Sequence, residues 1–582
     1  RLIGLDRIEM GENGDLAVSH ATDTPQWLPS SGLRGDTGWR PIAPNCADAE
    51  CCDGSLETFH RYDRLPATVE YAFPGLRALR AFRLVWRDCG LDTKRGVTPG
   101  PFRYRIDRRR DGKWTTWVDA SDNAADLPVD YREGPRAEAD AVRLVILGAP
   151  RGIAPGVSEF TVFGTAPGPA YFKPGERISF FGDSIVHGGW FEHLLELFAA
   201  LRDPGSNVRV TNVGISGDTT GGGLGRFDWD LLPTKPDRVF TFFGMNDVGR
   251  GDYRTKTPDE ATRKRRAASL ERYRANQAKL ADRLAAAGIG QVCLTPSPYD
   301  EYSAIRTTNL AAVNSQGLSR CAEIVRDLAA DRGLPLADIH PSLTSVFAAD
   351  TTSSLTGDRV HPGCNGHLMM MAEILAAMGV SPTVAETTVA ATGDGASFDY
   401  APKALPFPKS WYYEQAEKRY PLTERINREI IRVTGLPPGK YDLAFDGRTV
   451  GAFTADEFAA GVNAALLDTP NQRTAQAAWK LMCGIRGAES VQRDIALVRC
   501  QLLAAKVAPD DWTAADAHLD ARLQKLREQK AGNLGYYEGV YAKYRKCRGE
   551  VAALTAKADG LRAEMNALRP AVSRVSIQRK EK

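Results

Sequence analysis

Ile178-Ser179-Phe180-Phe181-Gly182-Asp183-Ser184 is the stretch that decides the fold. Its first four residues read as a short buried strand, and from Trp190 to Leu201 apolar residues recur at helical spacing. Gly182-Asp183-Ser184 therefore falls on a strand-to-helix turn. Such a turn exposes a hydroxyl beside backbone N–H groups left without partners at a helix start, a setting that serves both a nucleophile and a developing anion.

Further strands are expected at about 207–213, 237–243, 291–295 and 335–339, alternating with helical patterns such as Leu270, Tyr273, Gln277, Leu280 and Leu284, which stop at Gly288. Strands that alternate with helices predict a parallel sheet covered on both faces. Ligands bind such sheets beyond the carboxyl ends of the strands. Ser184, the run Gly214 to Gly217, and Asn246 all follow predicted strand ends directly.

Thr165 to Gly175, with Pro167, Gly168, Pro169, Pro174 and Gly175, reads as a linker, so the α/β domain spans residues 176–380. Before it, residues 1–165 carry short β-rich runs split by Gly, Pro and Asp, with a hairpin signal at Asp111-Gly112, and predict a β-sandwich. After it, residues 381–470 predict a small meander from Ile430–Val433, Tyr441–Phe445 and Val450–Phe453. Residues 471–582 are mostly helical. Val551, Leu554, Ala558, Leu561, Met565 and Leu568 form a seam of under about three heptads before Pro570, too short to stand alone. It is expected to fold back on residues 485–530 rather than to serve as a dimerisation arm, and a monomer is favoured.

With 582 residues the chain exceeds one core, and domains of roughly 100 to 200 residues predict about three or four units. A net charge of +3 gives no nucleic-acid or polybasic membrane surface, and no run of about 18 apolar residues predicts a transmembrane span. The runs Arg263 to Arg266 and Arg108 to Arg110 read as solvated faces. The chain starts Arg1-Leu2-Ile3, which fits a mature exported protein, periplasmic or extracellular, or simply a domain boundary. Ten cysteines are few; in an exported protein Cys46 could pair with Cys51, Cys52 or Cys89, while Cys293 and Cys321 read as buried thiols.

Four blocks carry chemistry: Gly182-Asp183-Ser184-Ile185; Asn212 through Thr220; Gly244-Met245-Asn246-Asp247; and Asp358-Arg359-Val360-His361-Pro362. A serine hydroxyl needs a base at neutral pH, a role for His361. Asp358, three positions earlier, can reach the imidazole Nδ1 and hold the tautomer that faces Nε2 to Ser184. In this order the blocks resemble the SGNH, or GDSL-type, hydrolases over about residues 172–380. The resemblance implies an α/β/α flavodoxin-like domain and an oxyanion hole from the N–H groups of Ser184 and Gly217 and the Asn246 amide. Gly217 is expected there because its backbone must approach closely. No metal or other cofactor is required, and no convincing ligand cluster occurs. Asp183, His187, Arg250 and Tyr299 are possible substrate contacts; Asp183 is read mainly as a brace for the turn.

Phe82 to Asp88, Tyr104 to Val118, Ala141 to Gly152 and Ser158 to Gly164 resemble discoidin-like, galactose-binding-type sandwiches. That resemblance implies a carbohydrate-binding module, with Trp114 and Trp117 as stacking candidates, although strand tryptophans are more often core. The expected function is O-acyl, above all O-acetyl, ester hydrolysis on an acylated carbohydrate through an acyl-enzyme. The alternatives are a lipase, lysophospholipase or thioesterase using the same site, or a glycan-binding surface protein with an idle hydrolase domain.

Overall fold

The structure is a computed structural model that describes residues 8–10, 16–18, 39–42, 45–46, 48–165, 168–352 and 354–580. The chain divides into two compact units, Arg1–Gly168 with Glu323–Leu336, and Pro169–Ala322 with Ala337–Lys582.

The first unit is antiparallel. Six strands run in the order Arg40–Pro41, Ala154–Thr165, Ala67–Cys89, Val129–Gly148, Arg103–Arg110, Lys113–Ala120, with Asn45–Cys46 and His60–Arg61 added beside them. Asp111 and Gly112 adopt φ of 50° and 72°, the left-handed pair that a two-residue hairpin between Arg110 and Lys113 requires. In Ala67–Cys89 the large apolar residues of the main core are Val69, Tyr71 and Phe73, then Leu79, then Phe82, Leu84 and Trp86. The phase changes because register shifts interrupt the ladder between Leu79 and Ala81. All of these residues join one core. The antiparallel β character matches expectation, but one hydrogen-bonded sheet of eight strands does not single out the discoidin-like type.

Trp117 is core: it is 6% exposed and its Nε1 donates to the Pro135 carbonyl at 2.7 Å. Trp114 lies under the Arg143 guanidinium, 4.5 Å from its ring centre. Cys51 is buried and, like Cys89, carries a free thiol; the Cys46 side chain lies outside the described residues, so the expected bridge is absent at Cys51 and Cys89.

In the second unit Arg209–Gly214, Arg177–Gly182, Arg238–Phe242 and Gly290–Leu294 pair in parallel, and Leu336–Ala337 is next in order. The Thr295 N–H reaches the Ala337 carbonyl. Numbered along the chain the order is 2-1-3-4-5, the flavodoxin-like arrangement. The strand before Ser184 thus lies inside the sheet, at the point where strand order reverses. Helix Phe191–Arg202 is buried from Phe191 to Leu201, its acids included, because helix Pro470–Ala504 packs on its outer side.

Arg428–Thr434, Lys440–Phe445 and Arg448–Thr454 form where strands were expected, but not as one meander. Arg428–Thr434 pairs with Thr383–Ala390 and Val462–Asn463. The hairpin Lys440–Phe445/Arg448–Thr454 belongs to a second sheet completed by Gly395–Tyr400 and the terminal strand Ser573–Arg579. Helix Val551–Ala567 lies along Pro470–Ala504, with the Gln492 amide donating to Thr555 Oγ1 at 2.8 Å. Arg266 departs from the solvated face expected of its run. It is 8% exposed, lies over the Tyr253 ring and donates to the carbonyls of Asp252 and Thr255.

Candidate active site

Gly182 and Gly214 end neighbouring strands and are register partners. A Cβ on Gly182 would sit 2.4 Å from the Phe242 carbonyl oxygen, and one on Gly214 2.2 Å from the His187 nitrogen. Gly214 must be glycine because the single-turn helix Ser184–His187 lies hard against it, and Gly182 because the neighbouring strand's carbonyl and the Val186 side chain leave no room. Asp183 caps this helix, its Oδ1 accepting from the Ile185 N–H at 3.0 Å. The tight turn leaves the Ser184 side chain at the rim while Ile185 and Val186 anchor in the core.

His361 Nε2 lies 2.7 Å from Ser184 Oγ, and His361 Nδ1 lies 2.6 Å from Asp358 Oδ2. Asp358 Oδ1 also accepts from the N–H groups of Val360 and His361, at 3.0 and 2.8 Å. Burial works to raise the Asp358 pKa, but its hydrogen bonds with the His361 ring and backbone outweigh it and hold the carboxyl well below the ordinary range. An ionised carboxylate can only accept, so the imidazole carries its proton on Nδ1 and offers the Nε2 lone pair to the hydroxyl.

Arg359, between these two residues, has φ of 71°, a conformation that costs a residue with a Cβ roughly 1–2 kcal/mol. Its buried guanidinium donates to the carbonyls of Asp300, Ile305 and Thr307 at 2.9–3.0 Å, and its own carbonyl accepts from the Asp300 N–H. These bonds offset the strain and lock Asp358 and His361 onto one side of the loop. The chain carries no local signal for this anchor. A second hidden strut is Arg226, 1% exposed, which donates to the Gly182 and Val213 carbonyls and pairs with Asp218 and Asp230 at 2.7 Å. It ties together the loops that follow the first two strands.

Gly217 and Asn246 follow the two strands that flank the one before Ser184. Neither the Ser184 nor the Gly217 N–H has a hydrogen-bond partner among the described residues. Asn246 Nδ2 donates to the Asp218 carbonyl at 2.8 Å, which leaves one amide hydrogen, while Arg250 donates to its Oδ1 at 3.3 Å and sets which end of the amide faces the loop. The expected reason for Gly217 needs correction. A Cβ there would meet nothing within 4 Å, so the glycine answers to its φ of 80°, not to close approach.

Three of the four expected substrate contacts are turned inward. Asp183 is 1% exposed; burial, with the charges of Asp247 and Asp218, outweighs the Ile185 N–H bond and the pull of His361 and pushes its pKa up to about 7. Tyr299 is 2% exposed and spends its hydroxyl on the Thr308 carbonyl and the Leu310 N–H. His187 is 7% exposed, with both ring nitrogens engaged by the protein. Arg250 stays at the rim, lining a cavity of about 410 Å³ with Asn246, Gly249, Gly251 and Asp252. Among the described residues no group of three or more His, Cys, Asp or Glu is placed to hold a metal ion, and no helix is long and apolar enough to cross a membrane.

Residues 180–368 match the GDSL-like lipase/acylhydrolase family. An acetylxylan esterase of Geobacillus stearothermophilus is 26% identical over 223 residues, 35% of this chain and 94% of that protein. A solved gut microbial diltiazem-metabolizing enzyme is 25% identical, with a TM-score of 0.62, and the similarity covers 71% of this chain and all of that one. The likeness therefore runs well beyond the acylhydrolase segment. The match to the GDSL-like lipase/acylhydrolase family and the likeness to an acetylxylan esterase identify this chain as a carboxylic ester hydrolase.

Proposed function

We propose that the chain is a serine esterase that removes O-acetyl groups from a carbohydrate through an acyl-enzyme. The observation that carries this reading is the 2.7 Å approach of His361 Nε2 to Ser184 Oγ, backed by Asp358 at 2.6 Å. Ser184 attacks the ester carbonyl while His361 takes its proton. Asp358 steadies the imidazolium, and His361 returns the proton to the departing sugar hydroxyl. Water then adds to the acetyl-serine with the same histidine as base, releasing acetate and restoring Ser184. Negative charge on the carbonyl oxygen falls to the Ser184 and Gly217 N–H groups and the Asn246 amide.

The acetyl assignment draws support from the acetylxylan esterase among the relatives and from the cavity beside Asn246. Two of the five residues lining it are glycines and the other three are polar or charged. Each buried CH2 is worth about 0.8 kcal/mol against an apolar wall. A chain of eight carbons finds no such wall in this cavity, whereas Arg250 can donate to the oxygens of a sugar. Rates on p-nitrophenyl acetate and octanoate, with acetate release from acetylated xylo-oligosaccharides, test the reading. Faster turnover of octanoate than acetate contradicts it.

A further inference from the structure

The proposed chemistry leaves one buried histidine beside the nucleophile without a task. His187 closes the short helix that Ser184 opens. Its Nδ1 accepts from the Ser216 N–H at 3.0 Å, so that nitrogen is unprotonated and the ring proton sits on Nε2, 3.2 Å from Asp494 Oδ1. Lys543, from helix Leu534–Cys547, pairs with the other oxygen of Asp494. Burial keeps the ring neutral: the His187 pKa is lowered by desolvation and by the charges of Arg493 and Lys543, against the pull of Asp494.

Ser216 directly precedes Gly217, whose N–H belongs to the oxyanion hole in the reading above. Asp494 lies on helix Pro470–Ala504, outside the acylhydrolase match. The same helix grips both neighbouring loops. Arg493 donates to the Gly214 carbonyl at 3.0 Å, and Arg486 to the Gly188 carbonyl at 2.6 Å. The nucleophile turn and the oxyanion loop are thus both held by a helix that arrives more than a hundred residues after His361.

We infer that Asp494 and His187 are positioning residues for the oxyanion loop. Asp494 fixes the Nε2–H tautomer of His187, and Nδ1 then holds the Ser216 N–H, and so the Ile215–Ser216 peptide, one residue ahead of the Ser216–Gly217 peptide that carries the donor. The inference rests on Gly217 acting as an oxyanion donor. Gly217 has no side chain and open space around it, so no packing at Gly217 itself resists rotation of the Ser216–Gly217 peptide. A displaced donor forfeits part of the roughly 10²–10³-fold that one oxyanion donor supplies.

The test uses the full chain and p-nitrophenyl acetate. His187→Met fills the space with no acceptor nitrogen and is expected to lower kcat at least about tenfold while KM stays within about threefold. His187→Gln, whose Oε1 can accept the same N–H, is expected to recover most of that loss. A merely structural histidine gives no such difference between Gln and Met. Asp494→Ala should show the same kcat-selective loss, and the double variant His187→Met/Asp494→Ala should be no slower than the slower single variant. Wild-type kcat in His187→Met, Gln as slow as Met, or multiplying losses in the double variant each overturn the inference. Should His187→Met fail to fold, Gln and Asp494→Ala still decide: Gln near wild type with Asp494→Ala slow supports the relay, and any other pair of results overturns it. Ser184→Ala reports separately, since its inactivity beside a fully active His187→Met sinks the relay alone.

Discussion

Gly214 and Gly217 stand three positions apart at the rim and are glycine for opposite reasons. At Gly214 a methyl would lie 2.2 Å from the His187 nitrogen, so Gly214→Ala must displace the backbone of the nucleophile turn. It is expected to cost upwards of about 3 kcal/mol in urea unfolding and to abolish turnover. At Gly217 the space is open and only the φ of 80° resists, so Gly217→Ala should cost about 1–2 kcal/mol. Equal losses would contradict this distinction. Asp183 gives a pH prediction. Its folded pKa of about 7 lies above the ordinary 3.8, so the folded state holds a proton that the unfolded state releases. Stability therefore falls as pH rises between those values, by on the order of a few kcal/mol. Asp183→Asn keeps an oxygen for the Ile185 N–H and should flatten that decline in unfolding midpoints measured from pH 4 to 8; an unchanged slope would contradict it. Ser184, His361, Asp358 and Asn246 were legible because each needs only its residue type and a strand end or loop. Arg359, Arg226 and the inward turn of His187 were not, since their partners lie in other segments and nothing local marks them.

At the scale of elements, the catalytic sheet was legible in outline because fully buried parallel strands are continuous apolar runs. Helix Pro470–Ala504 was legible as a helix, but not as a cover for the acylhydrolase core. Its Glu489 meets Arg562 at 2.5 Å and His193 at 3.1 Å, and Arg562 reaches Glu196 at 2.7 Å, all fully or nearly buried. Burial opposes ionisation of Glu489, yet Arg562 and His193 outweigh it and hold its pKa well below the ordinary value. That contribution to stability is complete above about pH 4.5 and is lost as pH falls toward the folded pKa. Glu489→Gln removes the buried anion that Arg562 and His193 share and should cost about 3–5 kcal/mol at neutral pH, with a smaller further loss on acidification than the wild type shows. A variant as stable as wild type at pH 7 would remove the helix from the folding energetics.

Across the whole second unit, the last residues close a sheet begun almost two hundred positions earlier. Ser573–Arg579 pairs with Gly395–Tyr400 on one side and Lys440–Phe445 on the other, and buries Val575 and Ile577. The sequence reading ended this region at Pro570 with helix, because seven residues with alternating burial after a proline look like a tail until their distant partners are known. Full burial of each of the two aliphatic side chains is worth about 1.5–3 kcal/mol. Deleting residues 573–582 should therefore lower the unfolding free energy by at least about 3 kcal/mol, and an unchanged denaturation midpoint would contradict that. The most direct test of acyl transfer through Ser184 is acetate release from acetylated xylo-oligosaccharides by the wild type and by Ser184→Ala, with folding of both checked by circular dichroism. Loss of at least about 10³-fold in the folded variant is predicted; a folded Ser184→Ala that releases acetate at the wild-type rate contradicts it.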